Sequence, residues 1–454
     1  MNLEIVILAA GQGTRMHSDF PKVLHQVANK SLLEHVYATA RKLNPTQINV
    51  VIGHHGEKVR EKHDLNVHWV KQESRLGTGH AVMQALPNIK DDSRVLVLPG
   101  DVPCLSVETL THLIEQTPIE GVGILTAVLK DPRGLGRIIR NKNNDFVAII
   151  EEKDASETQK NITEINAGVM LAPAKVLKTL LPQVSNNNNQ SEYYLTDVPE
   201  LALEQGIPVV AIRCLDPDEV QGVNDRWQLS MVERYYQQRQ AKLLMTNGVT
   251  IRDFSRFDLR GNLLAGKDVE IDINVLIEGN VTIGDHCHIG ANVILRNVKI
   301  GNNVDIKDNS VIEDAIIGDD CRVGPFARIR PGTELADNVH IGNFVEVKKS
   351  VIGSGSKASH LTYIGDATIG KHVNIGAGVI TCNYDGVNKH QTIIEDDAFV
   401  GSNVSLVAPV TIKYRSTIGA GSTINKDTPE NQLTLSRAKQ LTVPGWQRPT
   451  KKEK

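Results

Sequence analysis

The chain has 454 residues, of which 40% are hydrophobic and 23% charged, and its formal net charge is −3. This length suits two or three domains, and the near-neutral charge gives no electrostatic reason to expect nucleic acid as a partner. The sequence has no long apolar run, no leader-like start and no cysteine pair at disulfide or zinc spacing. We therefore expect a cytoplasmic protein that is not inserted in a membrane.

The first chemical signal lies close to the N-terminus. An apolar run, residues 3–8, leads into Gly11 and Gly13 and then into Arg15 and Lys22. The run is typical of a buried parallel strand. Glycines allow backbone N–H groups to approach a phosphate, and the two cations can neutralise it. This stretch predicts a site for a nucleoside triphosphate.

Residues 1–226 alternate strand-like and helix-like segments. Strands are predicted at residues 48–52, 95–98 and 209–212, and helices are predicted to follow Ser31, Thr78 and Ser106. Ser31 and Glu34 have the spacing of a capping box. The alternation predicts a Rossmann-like α/β domain with a mostly parallel sheet. Ligands bind at the carboxyl ends of such strands, where the loop after Leu8 and the turn after Leu98 lie.

The second half of the chain has a different pattern. Residues 227–247 lack Gly and Pro and predict a linker helix. Beyond them an Ile or Val followed by Gly recurs, mostly at multiples of six residues or one fewer, which predicts a parallel β-helix of hexapeptide repeats over residues 248–454. In each hexad the aliphatic residue should point inward and the glycine should permit the turn. The longer interval between Gly376 and Gly401 predicts an extruded loop at residues 382–389.

Several motifs together resemble one known family. The N-terminal half contains LAAGxGTRM at 8–16, PKVL at 21–24, LGTGHA at 76–81, GDVP at 100–103 and GVN at 222–224. The C-terminal half contains VGPFARIRPG at 323–332, GNFVEVKK at 342–349, HLxYIGD at 360–366 and CNYDG at 382–386. The first motif alone indicates only a sugar nucleotidyltransferase. Over essentially the whole chain, the combination resembles the bacterial bifunctional N-acetylglucosamine-1-phosphate uridyltransferase/glucosamine-1-phosphate acetyltransferase family.

The resemblance implies two successive reactions. The C-terminal site would acetylate glucosamine 1-phosphate with acetyl-CoA. The N-terminal site would join the product to UTP with Mg²⁺, giving UDP-N-acetylglucosamine and pyrophosphate for peptidoglycan and lipopolysaccharide synthesis. It also implies a left-handed β-helix and a homotrimer with acetyl-transfer sites between subunits.

Some residues of the N-terminal site are assigned from the chemistry of their side chains, and the others are assigned from the family resemblance. Uridylyl transfer needs positioning and charge rather than covalent chemistry, which suits Arg15 and Lys22 as catalytic cations. Asp101 ends an apolar strand and could hold Mg²⁺, a hard oxygen-seeking ion, and the resemblance supplies Asn224 as a second ligand. In some family members Tyr stands where this chain has Pro99, whose carbonyl can still contact a ligand. The remaining positions that the resemblance assigns to UTP or UDP-N-acetylglucosamine are Leu8, Ala9, Ala10, Gly11, Gln72, Gly77, Thr78, Pro99, Gly100, Gly136, Glu151 and Asn166. Of these, residues 72, 77 and 78 would read the uracil, and residues 136, 151 and 166 would contact the sugar.

The C-terminal site centres on a histidine. Acetyl transfer to an amine requires the ammonium to lose a proton, and a histidine suits this role near neutral pH. His360 matches the family motif and is assigned as the general base. The resemblance assigns Arg330 and Lys348 to the substrate phosphate, Tyr363 and Asn374 to the sugar, and Ala377, Asn383, Tyr384, Ser402, Ala420 and Arg437 to acetyl-CoA. Arg437 lies beyond the last clear hexad, so the C-terminal segment should fold back on a coil.

Two other functions remain open. A one-site sugar-1-phosphate nucleotidyltransferase could use its β-helix only for assembly or regulation, but His360, Tyr363 and the 382–389 loop argue against it. A non-catalytic assembly subunit could share both folds, but the retention of Arg15 and Lys22, with Asp101 and Asn224, argues against that hypothesis.

Overall fold

The computed structural model describes residues 2–54 and 56–451. It divides into two compact units between residues 236 and 237, inside a helix that runs from Arg226 to Thr246. The linker helix is thus present. The domain limits 1–226, 227–247 and 248–454 stay predictions. No helix in the described part of the chain is both long and apolar enough to cross a membrane.

The first unit is built on a mixed sheet covered by helices. Its strands are β1 (Asn2–Ala9), β2 (Gln26–Val27), β3 (Lys30–Ser31), β4 (Gln47–Ile52), β5 (His68–Lys71), β6 (Ser93–Pro99), β7 (Val122–Val128), β8 (Arg137–Arg140), β9 (Phe146–Ile150), β10 (Glu164–Pro173) and β11 (Val209–Arg213). Its helices are α1 (Leu32–Lys42), α2 (Gly56–Glu61), α3 (Thr78–Ala85), α4 (Val107–Gln116), α5 (Glu157–Lys160), α6 (Ala174–Leu180) and α7 (Val198–Glu204), and α8 (Arg226–Thr246) follows them.

The sheet order is β11-β7-β10-β6-β1-β4-β5, with β8 pairing β10 and β9. The pairs β1–β4, β1–β6, β4–β5 and β7–β11 are parallel, as expected, while β10 runs antiparallel to its neighbours β6 and β7. Leu8 in β1 lies opposite Pro99 in β6. The loops after these two strands therefore leave the same edge of the sheet side by side, which places the predicted phosphate loop next to Asp101.

Local sequence signals explain how these elements form. Ile5 and Ile7 pack on one face of the sheet and Val6 on the other, so β1 is buried on both sides, as its continuous apolar run predicts. Ser31 and Glu34 form the predicted capping box at the start of α1. The helix expected after Thr78 begins at Thr78 itself.

The second unit is a β-helix of short strands. Its strands are β12 (Thr250–Ile251), β13 (Asp258–Ala265), β14 (Glu270–Ile271), β15 (Leu276–Ile283), β16 (His288–Ile289), β17 (Ile294–Arg296), β18 (Lys299–Ile300), β19 (Asp305–Ile306), β20 (Val311–Glu313), β21 (Ala315–Ile317), β22 (Arg322–Val323), β23 (Arg328–Ile329), β24 (Thr333–Leu335), β25 (His340–Asn343), β26 (Glu346–Lys348), β27 (Val351–Ile352), β28 (Lys357–His360), β29 (Tyr363–Gly365), β30 (Ala367–Ile369), β31 (Asn374–Ile375), β32 (Ile380–Cys382), β33 (Thr392–Ile394), β34 (Phe399–Val400), β35 (Ser405–Val407), β36 (Val410–Ile412), β37 (Thr417–Ile418), β38 (Thr423–Ile424) and β39 (Leu433–Thr434).

These strands stack in parallel, coil upon coil. Hydrogen bonds between neighbouring coils join residues 17 or 18 positions apart, which is three hexads. Lys371 and Asp396 are instead 25 residues apart in the corresponding contact, because the chain between them leaves the coil. The predicted loop is therefore confirmed, and a bond from His390 N to Asn383 O, 2.8 Å long, closes its base.

The hexad glycines have a different role from the one expected. The aliphatic residue before each glycine is buried, as predicted. The positive φ of the turn, however, usually belongs to the residue two places later, such as Asn292 or Asn303. The glycine itself is needed for space, since a Cβ at Gly301 would lie 2.9 Å from the backbone nitrogen of Asp319 on the next coil. The expectation that these glycines permit the turn is wrong for most hexads.

The C-terminal segment returns to the β-helix, as expected. β39 pairs in parallel with β37. The guanidinium of Arg437 donates a hydrogen bond of 2.9 Å to the carbonyl oxygen of Ala420. Residues 433–437 therefore lie on the last coil.

Candidate active sites

The first unit contains a cavity of about 540 Å³ at the carboxyl ends of β1 and β6. Most of the residues predicted for the nucleotide and the sugar line this single space. They are Leu8, Ala10, Gly11, Lys22, Gln72, Gly77, Thr78, Pro99, Asp101, Gly136, Glu151 and Asn166. Segments far apart in the sequence thus converge on one volume that is large enough for a small-molecule ligand.

A cation and two side-chain oxygens meet at the edge of this cavity, which Lys22 and Asp101 line and Asn224 does not. The Lys22 ammonium forms an ion pair with Asp101 Oδ2 and donates a hydrogen bond of 3.1 Å to Asn224 Oδ1. Gly13 makes room for this lysine, because a Cβ there would lie 2.7 Å from Lys22 Cβ, and its φ of 63° also favours glycine. The arrangement brings one positive charge and two hard oxygen atoms to the same point.

The part of the cavity around α3 presents polar groups fixed by the protein. Gln72 is buried, and its amide nitrogen contacts Gly77 O and His80 Nδ1 at 3.2 and 2.9 Å. The hydroxyl oxygen of Thr78 accepts a hydrogen bond of 3.1 Å from Leu195 N. These groups can read the edge of a planar heterocycle by hydrogen bonding.

A buried carboxylate marks another wall of the cavity. Glu151 accepts a hydrogen bond of 3.0 Å from the hydroxyl of Thr196, and burial raises the pKa of Glu151. Asn166 Oδ1 accepts from Gly168 N at 3.1 Å, which leaves the amide NH₂ of Asn166 for a ligand. A carboxylate acceptor and an amide donor of this kind suit sugar hydroxyl and N-acetyl groups.

Some predicted residues lie outside this cavity, and others line it without having been predicted. Arg15 is exposed in the turn Thr14–Met16 and does not line the cavity. Ala9 is buried, and Gly100 donates to Leu8 O at 2.9 Å, so both support the site from behind. The cavity also includes Arg75 and Thr196, which sequence reasoning missed. Arg75 follows β5 at the same sheet edge, which is the signal that could have identified it.

The second candidate site lies on the β-helix around His360. His360 Nδ1 is 2.9 Å from Asn343 Oδ1 on the preceding coil. An amide oxygen only accepts, so Nδ1 carries the hydrogen and Nε2 keeps its lone pair. His360 is exposed, and its Nε2 is therefore an available base. Asn343 was missed as a functional residue, although its distance of 17 residues from His360 is one coil.

Cations and an aromatic ring lie on the coils next to this histidine. Arg330 donates a hydrogen bond of 2.7 Å to Glu346, whose strand also carries Lys348 and pairs with that of Tyr363. Lys389, from the extruded loop, approaches Lys348, and its ammonium lowers the pKa of Lys348. Such a concentration of positive charge favours an anionic ligand. Lys389 was not identified from the sequence.

The residues predicted for acetyl-CoA occupy three successive coils and the loop. Asn403 N donates to Ala377 O and Gly421 N to Ser402 O, both at 2.8 Å, so Ala377, Ser402 and Ala420 follow hexad glycines on consecutive coils. Arg437 joins them through Ala420. In the loop, Asn383 is buried and donates to Asp366, whereas Tyr384 is exposed. Asn374 lies in β31, next to the strand of His360.

Comparisons with known proteins match both halves of the chain. A model described as a MobA-like NTP transferase domain matches residues 5–188. Models described as the GMPPB C-terminal domain and the hexapeptide repeat of succinyl-transferase match residues 259–352 and 391–426. Two proteins called bifunctional protein GlmU, from Legionella pneumophila strains Philadelphia 1 and Lens, are each 54% identical over 460 residues, which covers 100% of both chains.

The chain belongs to the bifunctional GlmU family. The match extends over both units, so the α/β fold, the linker helix and the β-helix are those of one family rather than a chance fusion. Both GlmU units in this chain carry a coherent set of polar side chains, one around Lys22 and one around His360.

Proposed function

We propose that this chain performs both transfers of UDP-N-acetylglucosamine synthesis, each in its own unit. The observation that carries the proposal is the full-length match to proteins named as bifunctional. Acetyl-CoA and glucosamine 1-phosphate are the substrates of the β-helix site. UTP and N-acetylglucosamine 1-phosphate are the substrates of the α/β cavity. The product supplies a sugar donor for peptidoglycan and lipopolysaccharide synthesis in the cytoplasm.

In acetyl transfer, His360 is the general base. Its Nε2 takes a proton from the ammonium of glucosamine 1-phosphate, while Asn343 keeps the hydrogen on Nδ1. The freed amine attacks the thioester carbonyl of acetyl-CoA and the C–S bond breaks. The nitrogen loses its second proton as the amide forms, and the CoA thiolate takes up one proton and leaves as the thiol. Arg330 and Lys348, with Lys389 beside them, hold the sugar phosphate. Tyr363 and Asn374 contact the sugar, and Ala377, Asn383, Tyr384, Ser402, Ala420 and Arg437 contact acetyl-CoA.

In uridylyl transfer, the protein positions the substrates and balances charge. A phosphate oxygen of N-acetylglucosamine 1-phosphate attacks the α-phosphorus of UTP, and the bond to pyrophosphate breaks. Lys22, which lines the cavity, stabilises the negative charge that accumulates on the leaving group, and Arg15, in the exposed turn after β1, assists as a second cation. Gln72, Gly77 and Thr78 bind the uracil, and Gly136, Glu151 and Asn166 bind the sugar.

We infer that Mg²⁺ binds at Asp101 and Asn224. The two side-chain oxygens already converge on a cation, the Lys22 ammonium, so the donor set fits a hard ion that fills its other positions with water and phosphate oxygens. Among residues 2–54 and 56–451, no three His, Cys, Asp or Glu side chains group into a closed metal site. When bound, the ion would supply positive charge that stabilises the phosphates. Lys22 then has its ammonium available for phosphate oxygens.

We infer a homotrimer, the assembly that the family resemblance implies, and the surface beside His360 supports an interface between copies there. Phe326 and Phe344 stack with ring centroids 5.3 Å apart. With Leu361 they form a column of side chains that are 49, 55 and 63% exposed. An exposed apolar column next to a catalytic base is well explained by a second copy that completes the site. Light scattering should give three times the 49.8 kDa chain mass, whereas a monomer with full acetyl-transfer activity would contradict the trimer.

The half-reactions, assayed separately, test the proposed function. We expect the purified chain to release CoA from acetyl-CoA with glucosamine 1-phosphate, and pyrophosphate from UTP with N-acetylglucosamine 1-phosphate. Chelation of divalent ions should abolish only the second reaction. Pyrophosphate release without CoA release would leave the one-site nucleotidyltransferase, and the absence of both reactions would favour the assembly subunit.

A further inference from the structure

The side-chain amide of Gln72 is held in one orientation by the protein. Its nitrogen Nε2 lies 3.2 Å from Gly77 O and 2.9 Å from His80 Nδ1. A backbone carbonyl can only accept a hydrogen bond, so the amide group that faces Gly77 must be the NH₂. Gln72 is 3% exposed and lines the cavity, so its oxygen Oε1 is the amide atom left for a ligand.

The second hydrogen of this NH₂ determines which ring nitrogen of His80 carries the hydrogen. Since Gln72 Nε2 donates, His80 Nδ1 must accept, and the ring hydrogen therefore resides on Nε2. The side-chain nitrogen of Gln84, one turn further along α3, donates to His80 O at 3.3 Å and also lies 3.3 Å from that Nε2. Both of these nitrogens then carry hydrogens, so the contact between them is not a hydrogen bond, and the shorter contact to Gln72 sets the tautomer. The ring of Tyr193 packs nearby, with centroids 6.4 Å apart. His80 does not line the cavity, so any effect on a ligand must pass through Gln72.

We propose that His80 is a positioning residue for base recognition, which accepts from Gln72 and thereby aims Gln72 Oε1 at N3–H of uracil. This inference rests on the proposed assignment of the cavity to UTP. Uracil offers a donor at N3, whereas cytosine offers an acceptor there beside an amino group. An amide that presents its oxygen favours uracil. If the amide of Gln72 can rotate, it can present its NH₂ to the acceptor at N3 of cytosine, and CTP then binds as well.

Two substitutions of His80 distinguish the loss of its hydrogen-bond acceptor from the loss of its aromatic ring. His80→Phe keeps an aromatic ring beside Tyr193 but has no acceptor, whereas His80→Asn can place its Oδ1 close to the position of Nδ1. The measurement is kcat and KM for UTP and for CTP with N-acetylglucosamine 1-phosphate. We expect His80→Phe to raise KM for UTP by about 3- to 10-fold, the factor for one lost hydrogen bond, with kcat within about twofold. The ratio of kcat/KM for UTP over CTP should fall by a similar factor, and His80→Asn should recover most of both losses.

Thermal unfolding of each preparation, followed by calorimetry, serves as the folding control, and its acetyl-transfer rate gives the amount of intact enzyme. The proposal is wrong if His80→Phe keeps the wild-type KM and nucleotide preference, or if His80→Asn is as impaired as His80→Phe. Gln72→Ala distinguishes this failure from that of the proposed function. If Gln72→Ala loses the preference for UTP and His80→Phe keeps it, only the proposed role of His80 is refuted. If the wild-type chain itself does not prefer UTP, the assignment of the cavity to UTP falls as well.

Discussion

A single amide oxygen decides which nitrogen of His360 can act as a base. Asn343 Oδ1 accepts from Nδ1 at 2.9 Å, so the lone pair stays on Nε2. Without this partner, either nitrogen can carry the hydrogen and the ring can rotate at its exposed position. Removal of a partner that orients a catalytic or metal-ligating histidine often lowers activity or metal affinity by one to two orders of magnitude.

Asn343→Ala should therefore lower kcat for acetyl transfer by roughly 10- to 100-fold and change KM by less than about threefold. Asn343→Asp, which still accepts from Nδ1, is the matched control and should retain most of the rate. Thermal unfolding of each variant, followed by calorimetry, reports whether the β-helix is folded. An Asn343→Ala enzyme with the wild-type kcat would show that the hydrogen bond does not orient the base.

Asp197 leads to a second prediction about a single residue, which concerns the pH dependence of stability. Burial, together with the nearby Glu200 and Glu151, raises the pKa of Asp197 from 3.8 to about 6. The fold therefore disfavours the ionised carboxylate, and this destabilisation grows as pH rises from about 4 to 6 and is complete above that range. Because Asp197 is partly exposed, we expect it to be on the order of 1 kcal/mol.

Asp197→Asn should unfold at a temperature about 2–4 °C higher than wild type at pH 8, and the difference should disappear below about pH 4. Scanning calorimetry at several pH values measures this difference. Asp64→Asn, at an exposed position of the same unit, is the control and should show no such trend. A constant difference across pH, or a less stable Asp197→Asn at pH 8, would be inconsistent with the stated cause.

In a hexad of the β-helix, one residue leaves room for the neighbouring coil, and a different residue adopts the positive φ of the turn. A Cβ at Gly301 would lie 2.9 Å from Asp319 N, while two residues later Asn303 adopts a φ of 55°. Gly301→Ala should thus destabilise the β-helix by about 2 kcal/mol or more, through overpacking. Asn303→Gly should stay within about 0.5 kcal/mol, because glycine accepts positive φ.

Thermal unfolding of the two variants, followed by calorimetry, compares these positions within one turn. If Gly301→Ala were as stable as Asn303→Gly, the packing role of the hexad glycine would be refuted. Residual acetyl-transfer activity of each variant shows whether the coils near His360 remain intact.

The elements that sequence predicts well are those built from local contacts. Each coil contacts only its neighbours, so hexad spacing is enough to predict the β-helix and even the loop that interrupts it. The group around Lys22 is different, because Asp101 and Asn224 are 79 and 202 residues away. Their meeting depends on the sheet order, which periodicity does not reveal. The Gln72–His80 pair was missed for a similar reason, since its meaning lies in hydrogen-bond direction rather than in residue type.

The molecule as a whole combines two units, each with its own core and its own set of reactive groups. The cavity around Lys22 lies within the first unit, and His360 with Asn343 lies within the second. The central claim is that one chain catalyses two reactions with separate groups. A substitution in one unit should thus leave the reaction of the other unit unchanged.

The most direct test measures both half-reactions on the same preparations of His360→Ala and Asp101→Ala. We predict that His360→Ala lowers acetyl transfer by roughly 10²- to 10⁴-fold, the usual contribution of a general base, and keeps uridylyl transfer within about twofold. Asp101→Ala should do the reverse. If His360→Ala still acetylates at the wild-type rate, or if either folded variant loses both reactions, the assignment of two independent sites is contradicted.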